Sequence, residues 1–196
     1  MSLLAFTQIA WTIGVLAWFL IRLPFQLKAR RTRVADARRR TARETVLLSI
    51  STLGLGLVPA LYVATGFPRT LSYAPSPLQV GAGVLVFLAA LWLFWRTHKA
   101  LGRQWSVTLE LRDAHRLITS GVYARVRHPM YSAFFLWALA QALLLPNLLA
   151  GFSGLIGFGI LFFLRVGEEE AMMREAFGAE YDAYCARTKR VVPYLY

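Results

Sequence analysis

Apolar and polar positions alternate in long blocks along this chain rather than with the short period of an amphipathic helix or strand. Residues 3–23 form a first apolar run, broken only at its end by Arg22. Residues 45–66 form a second, with Gly54, Gly56 and Pro59 in its interior. A third covers 78–95 and ends in Trp92 and Trp95, as expected of an interfacial aromatic belt. Two shorter runs, 129–145 and 148–164, flank Pro146-Asn147 and predict a tight helical hairpin. Several of these runs approach or exceed the roughly 18 residues that mark a membrane-spanning helix. The pattern predicts an all-α integral membrane protein with about five transmembrane helices, a C-terminal helical hairpin and a cytoplasmic C-terminal helix.

Composition agrees: 57% of the 196 residues are hydrophobic and 16% are charged, against about 25% charged in an ordinary soluble domain. The first run has no basic segment before it and is too long for the core of a signal peptide, so it is expected to be retained. The net charge of +12 raises the question of nucleic acid, but the cations cluster between apolar runs. Topology and anionic headgroups account for that placement, and no nucleic-acid partner is expected. The basic blocks at 28–43 and 96–128 are expected on one side, the cytoplasmic one, together with the charged segment 165–193. A single cysteine, Cys185, excludes an intrachain disulfide and a cysteine-based zinc centre, and no metal site is expected. One domain is expected, with the first two spans in 1–66, the third in 67–100 and a functional core in 101–193. Gly151, Gly154 and Gly157 mark a closely packed helix face. Residues 168–180 suggest a polar helix with an apolar stripe, interrupted near Gly178.

Candidate chemistry gathers where basic segment meets apolar run. The stretch 121–131, GVYARVRHPMY, places Tyr123, Arg127, His128 and Tyr131 at the mouth of a helix that Pro129 is suited to begin. Ionisable groups at the edge of a hydrocarbon layer are costly unless they pair, stay hydrated or bind something. Arg165 and Glu169 are spaced i to i+4 and so share a helix face. Taken singly, each has an ordinary explanation: an interfacial histidine, an arginine reaching for headgroups, a surface ion pair.

The 121–131 stretch, the preceding HRLITSG (115–121), the hairpin at 141–147, Glu169-Glu170 and FGAEYDAY (177–184), in that order, resemble the isoprenylcysteine carboxyl methyltransferase family. The likeness covers roughly 101–193. It implies S-adenosylmethionine as cofactor, held by His115, Arg116, Leu117, Ile118, Tyr123, His128, Pro129, Met130, Tyr131 and Glu169. It also implies Arg165 and Arg127 as catalytic residues, with Arg165 facing the substrate. The expected reaction is methyl transfer to the carboxylate of a lipid-like substrate such as a prenylated cysteine. Such a substrate would enter from the bilayer, among membrane lipids, while the cofactor enters from the cytoplasm. A phospholipid amine or other small lipophilic acceptor, an NADPH-dependent reductase and a non-enzymatic scaffold are the competing readings. An amine acceptor would require a general base, whereas a carboxylate is already ionised near neutral pH.

Overall fold

A computed structural model describes residues 2–29, 34–37, 42–102, 110–112 and 117–196. Helix α1 (Leu3–Ala29) is followed by α2 (Ala42–Thr52), a π-helical turn (Leu53–Leu57) and α3 (Val58–Thr65), which run on as one 24-residue apolar rod. Helices α4 (Pro77–Leu101), α5 (Pro129–Leu144), α6 (Leu148–Phe177) and α7 (Ala179–Arg187) complete the set. Among the described residues, four helical segments are long and apolar enough to cross a membrane: α1, the α2–α3 rod, α4 and α6. The expected fourth span, α5, is shorter, with 16 residues. At 1.5 Å per residue it reaches about 24 Å, less than the roughly 30 Å hydrocarbon layer.

Two features depart from the sequence reading. The polar segment after residue 164 is not a separate helix, because α6 continues without interruption to Phe177. Gly167 keeps a negative φ and is absorbed into the helix, and the stop comes at Gly178, whose positive φ of 51° ends α6 and starts α7. The second departure is a short antiparallel ribbon, β1 (Val34–Ala37) with β2 (Glu110–Arg112), which joins the two basic loops on one side of the bundle.

Local chemistry accounts for the helix starts. Pro77 and Pro129 occupy first-turn positions of α4 and α5. Ser76 accepts the Gln79 N–H at 3.2 Å, and Asn147 accepts the Ala150 N–H at 3.0 Å. The Asn147 amide also donates to the Pro68 carbonyl at 2.7 Å and the Ser72 hydroxyl at 3.0 Å. This fully buried residue therefore locks the hairpin to the connection between α3 and α4.

The α2–α3 rod crosses α6 at backbone contact distance. A Cβ added at Gly54 would lie 2.2 Å from the Ser153 carbonyl oxygen, and one at Gly157 would lie 2.7 Å from that of Ile50. The glycine face of α6 is thus a packing surface, as its spacing suggested. The π turn puts the Gly54 carbonyl within reach of two donors from the hairpin, Gln141 Nε2 at 3.0 Å and Ser153 Oγ at 2.8 Å. Gln141 is fully buried, and Nε2 also donates to the Ala150 carbonyl at 2.7 Å. One amide thereby ties α5, α6 and the rod together. Gly54→Ala should cost about 1–3 kcal/mol through overpacking. Gly56→Ala, where a Cβ meets nothing within 4 Å, should cost clearly less. Thermal unfolding of the two variants in the same detergent checks the contrast.

Candidate active site at the helix mouth

The site forms where the N-terminus of α5 faces the charged part of α6. His128 caps α5 with an irregular backbone and is buried. Its Nε2 lies 3.3 Å from Glu170 Oε1, and its Nδ1 lies 3.5 Å from Glu169 Oε1. With a carboxylate at each ring nitrogen, the imidazole is held as a double donor, the cationic form. Burial works to lower the pKa of His128, but the hydrogen bonds and charges of Glu169 and Glu170 outweigh it and leave the pKa raised. The Tyr131 hydroxyl donates to Glu169 Oε2 at 2.6 Å. Glu169 keeps 28% of its side chain exposed, so it is the acid of this cluster that an incoming ligand can reach.

Glu170 has a different role. It is almost buried, and it accepts from Arg127 Nε (3.1 Å) and Nη2 (3.0 Å) as well as from His128. On its other oxygen it accepts from Arg190 Nη2 at 2.9 Å. Arg127 spends its remaining donors on the Thr188 and Cys185 carbonyls. The backbone follows the same path: Arg127 N–H donates to the Lys189 carbonyl (2.7 Å), and His128 N–H to that of Arg190 (2.9 Å). Ser132 Oγ donates to the Val191 carbonyl at 2.6 Å, and Tyr184 Oη to the Tyr123 carbonyl at 2.7 Å. The segment 184–191 is in this way stitched along the 123–132 stretch, and Glu170 sits at the crossing.

Arg165 is buried one turn before Glu169 on α6, with Nη2 3.4 Å from Glu44 Oε1 on α2. The neighbouring Arg43 donates to Glu168 and, at 2.8 Å, to the Leu164 carbonyl. Aromatic rings back the polar groups: Tyr131 meets Phe158 and Phe162 at centroid distances of 5.9 and 5.3 Å.

The structure thus gathers His128, Tyr131, Arg165 and Glu169 around one mouth, with Pro129 and Met130 in the first turn of α5. Tyr123 lies in the turn before it, and burial raises its pKa further than the added effect of nearby Glu169. Leu117 and Ile118 lead into that turn as irregular backbone. His115 and Arg116 lie outside the described residues. Sequence reasoning did not find Glu44, Arg190 or the distinct part played by Glu170. The doubled Glu169-Glu170 was the available signal, since adjacent helix positions point about 100° apart and so serve different neighbours.

Residues 82–175 match the sequence profile of the isoprenylcysteine carboxyl methyltransferase family. That stretch, just under half of the chain, is similar to the family. It contains α5 and the α6 segment with Arg165, Glu169 and Glu170. A probable protein-S-isoprenylcysteine O-methyltransferase of Oryza sativa subsp. indica is 34% identical over 89 residues, 45% of this chain and 47% of that protein. The protein-S-isoprenylcysteine O-methyltransferase of Homo sapiens is 37% identical over 86 residues, 44% of this chain and 30% of its own length. The match thus spans about half or less of these relatives. The eukaryotic intramembrane Ras methyltransferase ICMT shares the fold, with a TM-score of 0.54 at 23% identity over 80% of this chain and 54% of that one.

The sign of the His128 shift sets a pH dependence. A raised pKa means that the imidazolium's stabilisation is fully present below the unfolded value of about 6.5 and is lost as pH rises through the higher folded value. Thermal stability should therefore fall from about pH 6 to pH 9, and His128→Gln should flatten that part of the profile. Glu170→Ala should be far more damaging, costing about 3–5 kcal/mol because it strands two arginines and a histidine. Thermal unfolding, with limited proteolysis between α7 and Tyr196, checks both expectations.

Proposed function

We propose that the chain is a membrane methyltransferase that transfers a methyl group from S-adenosylmethionine to the carboxylate of a lipid-like substrate such as a prenylated cysteine. The observation that carries this reading is the pairing of two unlike sites on one face of α6. Glu169 is partly exposed and anchored by Tyr131 and His128, and Arg165 lies buried one turn earlier on the helix. Both residues belong to the segment that matches the family.

The donor set suits the cofactor. An accessible carboxylate favours a cation in a partly dry site, and the tyrosine and histidine groups beside it can bond the polar ends of such a molecule. Glu169, Tyr131, His128 and Tyr123 would hold it, along with the backbone at Leu117 and Ile118. S-adenosylmethionine supplies, when bound, a methyl group on a positively charged sulfur. Arg165 orients the acceptor carboxylate, which is already ionised and needs no base. The buried rings of Tyr131, Phe158 and Phe162 back the site and help to exclude competing water. Arg127, whose donors are spent on Glu170 and on carbonyls of residues 185 and 188, is assigned a positioning role rather than contact with reacting atoms.

The basic loops joined by the β1–β2 ribbon favour a mouth that faces the cytoplasm, by the excess of Lys and Arg on that side. The short α5 brings its polar N-terminal cap close to the lipid level of α6, which suits a substrate arriving sideways from the bilayer.

Purified protein in lipid, given labelled S-adenosylmethionine and a farnesylcysteine analogue, should form a product whose label is released by base as methanol. Arg165→Ala should lower kcat/KM by on the order of 100-fold or more while cofactor affinity holds. Label that resists base would assign an amine, thiol or phenol acceptor instead.

A further inference from the structure

The arginine proposed to meet the acceptor carboxylate is not held by the family segment alone. Glu44, which lies 3.4 Å from Arg165 Nη2, sits in the first turn of α2, well outside the matched residues 82–175. Both side chains are buried, at about 10% exposure for Arg165 and 8% for Glu44. A carboxylate placed that deep is costly unless it faces a cation, so its presence beside Arg165 calls for a reason. The adjacent pair, Arg43 with Glu168, is by contrast half exposed on both sides and is an ordinary surface contact. Two neighbouring residues of α2 therefore meet two residues of α6 in opposite charge order. The inner pair differs from the outer one in being buried and in involving the proposed substrate-facing group.

We propose that Glu44 is a positioning residue for acceptor binding: it fixes the Arg165 guanidinium through Nη2 and so aims it at the incoming carboxylate. The geometry gives it this role without any contact with the acceptor. A guanidinium is a planar fork whose edges accept carboxylates in defined directions. A carboxylate at Nη2 stops the long side chain from swinging toward Glu169, which lies one turn further along the same helix face. It also lowers the net positive charge of the deep site, so that acceptor recognition depends on direction rather than on charge alone. The first two spans, which lie outside the matched residues, would in this way complete the acceptor end of the site.

This inference rests on the methyltransferase reading, and its test separates the two. Glu44→Ala should raise KM for the farnesylcysteine analogue at least tenfold, with S-adenosylmethionine affinity within twofold of the parent. Glu44→Gln, which keeps an oxygen acceptor at the same distance, should restore most of the loss. Arg43→Ala, which removes the outer pair only, should leave KM within twofold. Equal KM values for Glu44→Ala and the parent, with Arg165→Ala inactive, would overturn the inference and leave the reading intact. The same rise in Arg43→Ala would also overturn it, since general docking of α2 would then be the cause. A parent protein that methylates no acceptor would defeat the reading instead. The positioning itself is then decided by the Arg165 side-chain nitrogen resonances: slowed guanidinium rotation in the parent and free rotation in Glu44→Ala supports it, and identical rotation in both overturns it.

Discussion

The buried carboxylate of Glu170 is the interaction on which the rest of the site depends. One acidic side chain on α6 faces two arginines and a histidine from two other segments, Arg127 and His128 from the stretch before α5 and Arg190 from the chain after α7. In a low-dielectric setting such a charge is stable only if it is fully met, and the groups meeting it lose their freedom in turn. The cost of burial is offset by backbone bonds that lie alongside, from Arg127 and His128 to the carbonyls of Lys189 and Arg190. The result is a rigid floor. On that floor Glu169, the adjacent acid, can remain partly open and still be held by Tyr131 and His128.

That floor has to be placed at the right depth, and the hairpin does this. Asn147 and Gln141, both wholly buried, anchor the turn between α5 and α6 at the far end. Gly54 and Gly157 let the α2–α3 rod and α6 approach until backbone meets backbone. Helix α6, unbroken over its 30 residues, runs on from that fixed crossing and carries Arg165, Glu169 and Glu170 past the end of the shorter α5. A polar mouth at the edge of an apolar bundle is the geometric outcome of pairing a long helix with a short one. The rod also delivers Glu44 to Arg165, so the packing that builds the bundle also shapes the deep end of the site.

Much of this was legible from the chain alone, for reasons that are local. Uncharged apolar runs report membrane helices because unpaired backbone in lipid must close its own hydrogen bonds. Pro129 reports a helix start, Pro146-Asn147 a hairpin turn and Gly178 a helix end, because their effects act within one turn. The Arg165–Glu169 spacing places two groups on one face by helix geometry, and the order of short motifs from 121 to 184 points to a family. What the chain by itself determined was therefore the run of apolar helices, the hairpin and several polar residues at its mouth, His128, Tyr131, Arg165 and Glu169 among them. The tertiary structure decided how those residues pair. Glu169 and Glu170 are equivalent as letters, and only the surrounding segments make one an open acid and the other a sealed one. The partners of Arg165, Arg127 and His128 come from residues 41 to 121 positions away. Such contacts are set by how helices cross and by what burial demands of each charge, and no local pattern of sequence encodes them.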